Sequence, residues 1–193
     1  MVMHVIGTLT RLQVQRSSLK IGDKPNRRYD PGAILPVERA CLTPAGVLGL
    51  DGGGWVVDVH HQSHPETKNE DGLHGISVGF STHYVAMRER FGSRITPGCA
   101  GENLLADGDR SYSLADLQGG VAVLNQAGDV VVRLTVHQVA HPCRPFTGWA
   151  LGEQVEPEVL KANLQFLDDG MRGFYCTAEA TGVVAVGDRL ALL

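Results

Sequence analysis

Cys143 occupies the most constrained setting of any reactive side chain in this 193-residue sequence, between Pro142 and Arg144-Pro145 in the stretch VAHPCRPFTGW at 139–149. A cysteine serves as a nucleophile or a soft metal ligand only as the thiolate, so its site must favour deprotonation or replace the proton with a cation. His141 and Arg144 flank it and can supply positive charge. The two prolines remove backbone freedom and hold the sulfur in one direction. By itself HPCRPF is as compatible with a structural cysteine at a strand end as with a reactive one.

A second concentration of polar residues is PGCAGENLLADG at 97–108. Gly98 and Gly101 permit a tight curve that presents backbone amides, Glu102 and the Asn103 side chain to a ligand, although a plain glycine-rich hairpin accounts for the same residues. Four of the eight histidines, His60, His61, His64 and His74, fall in or beside HHQSHPETKNEDGLHG at 60–75. The His60–His64 spacing aligns two imidazoles only on a helix, which Pro65 and the preceding WVVDV oppose, so these are read as residues of a loop or cavity mouth rather than a zinc site. Asp58 is a candidate partner to orient His60. Cys41 and Cys176 sit in strand-like runs and read as inert core thiols, and Cys99 reads as structural.

The elements that must position these groups are mostly strands. Alternating or β-branched runs bounded by turn residues occur at HVIGTLTRLQV, LPVERACLT, GGWVVDVH, VAVLNQ, DVVVRLTVHQV, GFYCTAEA and GVVAVGDRLALL. Glycines suit hairpin turns in NQAGDVV at 125–131 and EATGVVAVGD at 179–188. Two helices interrupt the pattern. STHYVAMRERFG has Ser81 or Thr82 to cap its start and Gly92 to end it, and PEVLKANLQFLDDG has Pro157 in its first turn, Leu160, Leu164 and Leu167 on one face and Gly170 at its stop. The second is expected to pack over an open end of a barrel. Segment 60–75 is expected as a long loop.

The length fits a single domain spanning 1–193, mainly β, a barrel or sandwich of short strands with a few peripheral helices. A formal net charge of −4 gives no electrostatic case for binding nucleic acid or an anionic membrane. The N-terminus lacks a signal-peptide pattern and no run of about 18 apolar residues occurs, so a cytoplasmic protein with free thiols is expected. The four cysteines form no C-x-x-C pair, and neither nucleotide-binding glycine motif is present.

Three segments in order, GCAGENLLADG, VHQVAHPCRPF and MRGFYCTAEATGVVAVGDRLALL, carry G-x-x-G-E-N-L, a strand ending in P-C, and R-G-x-Y followed by a G-x-V-x-x-G-D hairpin. Together they resemble the MOSC domain, named for the C-terminal domain of molybdenum-cofactor sulfurases, over roughly residues 35–193. The usual Gly-Asp-x-His stands here as Val57-Asp58-Val59-His60 and the usual His-Gly-Gly as His74-Gly75-Ile76.

The resemblance implies a MOSC-type β-barrel in which Cys143 is the reactive residue, either a ligand to the molybdenum of a molybdopterin cofactor or the bearer of a persulfide. It implies cofactor contacts from Gly101, Glu102, Asn103, Arg144, Arg172, His60 and His74. Molybdopterin carries a phosphate, for which Arg144 and Arg172 are candidates; Lys20, Arg27 and Arg28 are further basic residues, the last two read as a solvated turn. Three functions follow. The first is a reductase of N-hydroxylated bases or related N-oxygenated small molecules, supplied with electrons by a separate flavin or iron–sulfur protein. The second is a sulfur carrier loaded by a cysteine desulfurase, which would hold the pyridoxal phosphate. The third is a non-catalytic cofactor-binding protein.

Overall fold

The computed structural model describes residues 3–67, 69–152 and 155–193. Its spine is β1 (His4–Gln15), whose apolar residues Ile6, Leu9, Leu12 and Val14 are all buried in the main core although their spacing departs from strict alternation. Twelve residues let one strand serve three neighbours. Its first part pairs antiparallel with β14 (Arg189–Leu192), its middle with β9 (Leu104–Gly108), and its last part with β4 (Ile34–Val37). Register shifts at Val5/Gly7 and Leu9/Arg11 bend it between partners.

Seven strands close the barrel. From β14 the hydrogen bonds pass to β10 (Val121–Leu124), β11 (Val130–Val139), β12 (Phe174–Ala178), β8 (Ile76–Phe80), β9 and β1, which returns to β14. A second sheet packs beside it in the order β13 (Gly182–Ala185), β5 (Arg39–Thr43), β6 (Gly46–Asp51) and β7 (Gly54–Val57). The arm after β1 forms a short hairpin of β2 (Lys20–Ile21) and β3 (Arg28–Tyr29).

The barrel expectation stands, with local corrections. β6 and β8 lie outside the strand-like runs: β6 is interrupted by Gly46 and Gly49, and β8 is buried at all five positions, so neither alternates. The anticipated hairpin at 179–188 does not form. β13 pairs with β5 in the second sheet and β14 with β1 and β10, so the turn at Gly187 (φ +94°) moves the chain between sheets.

Helix α1 (Ser81–Phe91) joins the parallel strands β8 and β9 and ends at Gly92, where φ is +82°. Neither Ser81 nor Thr82 caps it. Phe80 holds the cap position, while Ser81 donates to Asp107 at 2.6 Å and Thr82 to the Arg110 carbonyl at 3.1 Å, both ties to the chain around β9. Helix α3 (Pro157–Leu167) forms where expected, with Leu167 buried and Leu160 and Leu164 half-buried. It packs on α2 (Arg144–Leu151), a helix the sequence does not announce, because Pro142 and Pro145 read as breakers although proline is tolerated in a first turn. The three helices share a second core of Tyr84, Met87, Phe146, Ala150 and Leu167 with Tyr29 of the arm. Segment 60–75 is a chain of turns, as expected; its Lys68 lies outside the described residues. No described helix is long and apolar enough to cross a membrane.

Candidate functional site

A cavity of about 270 Å³ opens where β1, β8 and β12 approach the arm and the turns that follow β7 and β11. Its wall combines Gly101 and Glu102 of the glycine loop, His60 and His74, His141, Arg172 and Tyr175, and Ser18, Lys20, Arg27 and Tyr29 of the arm.

Cys143 is not among the lining residues but touches one of them, Arg172, and holds the cap position of α2 with its backbone extended (φ −128°, ψ 147°). Its carbonyl accepts from both the backbone and the hydroxyl of Thr147 at 3.0 Å, which starts the helix without using the sulfur. One Arg172 nitrogen, Nη1, stands 3.8 Å from Sγ. The guanidinium and the N-terminal end of α2 therefore both present positive potential to that sulfur. Burial sets the other three thiols apart. It pushes Cys99 and Cys176 up to about 12, with the Glu102 charge adding to the effect at Cys99, and it raises Cys41.

Arg172 joins the two motif loops. Nη2 donates to the Ala100 carbonyl at 3.0 Å and Nη1 to the His141 carbonyl at 3.2 Å, and the guanidinium lies 4.4 Å over the Phe146 ring. Nε is buried without a partner. Burial alone would lower its pKa, but Cys143, Tyr29, Tyr175 and Glu102 outweigh that and raise it. Glu102 is buried, and Tyr84 donates to its Oε2 at 2.6 Å while Oε1 has no partner. Desolvation raises its pKa despite the Tyr84 hydrogen bond and the Arg172 charge.

The glycine loop is held by β1. Gln15 Nε2 donates to the Gly101 carbonyl at 2.7 Å and Gln13 Nε2 to that of Gly98 at 2.8 Å. Gly101 has φ +95°, and a Cβ there would lie 2.6 Å from Gln15 Nε2, so both conformation and space require glycine. Asn103 is turned away from the cavity wall. Its Oδ1 accepts from the backbone and hydroxyl of Ser77 at 3.0 Å, and Nδ2 donates to the Gln13 carbonyl at 3.3 Å and to Asp58 Oδ2 at 2.9 Å. Every donor and acceptor of that carboxamide is already engaged within the protein.

Of the predicted site residues, the cavity gathers Gly101, Glu102, Arg172, His60 and His74, with Cys143 beside them. Arg144 is exposed and outside the lining. Lys20 and Arg27 belong to it, although Arg27 reads in sequence as a solvated turn; Arg28 remains exposed. They arrive because Tyr29 anchors the arm, its ring 5.0 Å from Phe146 and 5.4 Å from Trp149 and its hydroxyl donating to the Cys99 carbonyl at 2.6 Å. Tyr175 was also missed; the R-G-x-Y motif was its signal. Among the described residues no three His, Cys, Asp or Glu side chains converge to hold a metal ion. The donor set fits a cofactor that brings its own sulfur ligands: one available thiol, cationic side chains for a phosphate, and two buried, unpartnered polar atoms, Arg172 Nε and Glu102 Oε1.

The fold is a closed barrel whose cavity carries Lys20, Arg27 and Arg172 together with Glu66 and Glu102, and comparison supplies the family. The MOSC domain matches residues 74–191, and the chain belongs to that family, which is associated with binding of the molybdenum cofactor. Similar solved structures include the YuaD protein from Bacillus subtilis (TM-score 0.64, 16% identity, 96% of this chain and 94% of that one). YiiM from Geobacillus stearothermophilus (0.53, 18%, 100% and 75%) and YiiM from Escherichia coli (0.52, 15%, 82% and 64%) also align. At these identities the likeness shows the fold. No curated protein matches the sequence.

Proposed function

We propose that the protein binds molybdopterin with Cys143 as the metal's protein ligand and reduces N-hydroxylated bases or related N-oxygenated compounds. The observation that carries the reading is the pairing of Cys143 with Arg172 at the margin of the cavity, while the other three thiols are held back by burial. The bound group supplies two-electron redox chemistry. The chain would supply the rest: Lys20 and Arg27 would bind the phosphate, Arg172 fixes the two loops beside Cys143, and Glu102 with the Gly101 loop would meet the polar edge of the pterin. Electrons come from a separate flavin or iron–sulfur protein.

The test is metal content and turnover on the same preparations, made in a molybdenum-replete, cofactor-proficient host. Wild type should carry close to one molybdenum per chain and reduce an N-hydroxylated purine or an amidoxime with a chemical reductant. Cys143→Ser should lose the metal, because a hydroxyl is a harder and less easily ionised ligand, while Cys41→Ser keeps it. Lys20→Ala with Arg27→Ala should weaken retention. Equal loss in Cys143→Ser and Cys41→Ser, both folded, removes Cys143 as ligand. A persulfide on Cys143 in metal-free protein without turnover supports the carrier function, and bound metal without turnover supports storage.

A further inference from the structure

The wall of the cavity contains three histidines, and hydrogen-bond accounting separates them. His74 has Nδ1 on Asp71 at 3.1 Å and Nε2 on the Gln138 amide at 2.5 Å, so neither nitrogen is free. His141 pairs with Asp168 at 2.8 Å, but the two side chains are 63% and 54% exposed, so water competes for both. His60 is different. Its side chain is 28% exposed and its Nδ1 lies 3.1 Å from Oδ1 of Asp58, which is fully buried. Asp58 Oδ1 also accepts from the His60 backbone at 2.8 Å, while Oδ2 accepts from the Gln15 backbone at 2.7 Å and from Asn103 Nδ2 at 2.9 Å. A carboxylate in that setting only accepts, so Nδ1 carries the hydrogen, and among the described residues Nε2 has no hydrogen-bond partner.

We infer that Asn103, Asp58 and His60 form a positioned proton-delivery chain, in which His60 takes a proton from solvent at its bare Nε2 and passes it to the oxygen leaving an N-hydroxylated substrate. The inference rests on the reductase reading above. The overall change is R–NHOH + 2 e⁻ + 2 H⁺ → R–NH₂ + H₂O. The N–O bond breaks, the electrons come from the flavin or iron–sulfur donor, one proton passes from His60 Nε2 to the departing oxygen, and the second reaches nitrogen from solvent. His60 is reprotonated through its exposed edge. Asn103 and Asp58 are positioning residues: they hold Nδ1 and so leave Nε2 as the nitrogen that takes up and passes on the proton.

Two measurements test this. With a chemical reductant, His60→Gln should lower kcat by about 100-fold or more, with KM within about threefold of wild type and molybdenum content unchanged. Added imidazole should restore part of the activity of His60→Ala. Wild-type turnover in His60→Gln overturns the proposal, as does loss that follows molybdenum content, which would make His60 a cofactor-holding residue. So does a loss reproduced by His141→Gln but absent from His60→Gln. The second measurement needs no turnover: ¹⁵N NMR of the imidazoles in the full chain should show neutral His60 protonated at Nδ1 and bare at Nε2, a preference that weakens in Asp58→Asn. An Nε2-protonated His60 overturns the arrangement. Metal-loaded wild type that reduces no N-hydroxylated compound defeats the reductase reading and the delivery step with it, whereas active wild type with unaffected His60→Gln defeats the delivery step alone.

Discussion

Replacing Asn103 by leucine keeps the side chain's approximate size and removes all four of its hydrogen bonds. Left behind in a buried setting are the Ser77 amide and hydroxyl, the Gln13 carbonyl, and Asp58 Oδ2 with only one of its two donors. An unsatisfied buried group costs about 1–3 kcal/mol, and more where the partner is charged. Three circumstances reduce the sum: Ser77 Oγ still accepts from the Asn103 backbone N–H at 3.1 Å, Asp58 keeps three donors, and leucine gains some apolar burial. A net loss of about 3–5 kcal/mol is expected, a large part of the 5–15 kcal/mol that holds a typical domain together. For a chain of this size about 2–4 °C per kcal/mol applies, so the melting temperature should fall by roughly 10 °C. The assay is thermal unfolding followed by circular dichroism, with molybdenum measured on the same sample below the transition. A folded variant whose melting temperature stays within about 2 °C of wild type would refute the reasoning, because groups buried as Ser77 and Asp58 are cannot lose these partners at so small a cost.

Two further outcomes follow from the titrating groups. His83 is buried between Phe80 and Phe174, at ring distances of 5.8 and 6.0 Å, with no partner on either nitrogen, and desolvation lowers its pKa below the ordinary value of 6.5. The unfolded chain then binds the proton first, so stability present above about pH 6.5 is lost as the pH falls through that value toward the depressed folded one. His83→Phe should flatten the decline of melting temperature between pH 7.5 and 5, on top of the contributions of His61, lowered by the same cause, and of Glu102, raised by burial and opposite in sign; an unchanged slope refutes the assignment. Brief alkylation with iodoacetamide at pH 8, read by peptide mass spectrometry, should modify Cys143 and spare Cys99 and Cys176 in folded protein, since burial holds both thiols up to about 12; modification of either before Cys143 contradicts the ranking.

Several parts of this protein are legible without coordinates because the forces behind them act locally. The β-branched run of β11, the apolar spacing of α3 and the need for positive φ at Gly92 and Gly101 are properties of short stretches. Cys143, Glu102 and Arg172 were found through three ordered motifs, and the cavity gathers the last two beside the first. The start of α2 was illegible because Pro142 and Pro145 are equally at home in a break and in a first helical turn; packing of Phe146 and Ala150 into the second core decides for the helix.

The sequence by itself therefore determined a mainly β barrel or sandwich, one cysteine in a constrained turn and a glycine loop, because turn chemistry and hydrophobic period are written within ten or so residues; the choice of barrel came from the ordered motifs of the family it resembles. Only the tertiary structure decided which polar atoms face the cavity. Lys20 and Arg27 reach it because Tyr29 docks on Phe146, more than a hundred residues away in the chain. Asn103 is spent on Ser77, Gln13 and Asp58, while His60 is the cavity histidine whose free nitrogen is set by a buried partner. Those outcomes depend on which strands meet when the barrel closes, and that is fixed by burial and register summed over the whole chain rather than by any segment of it.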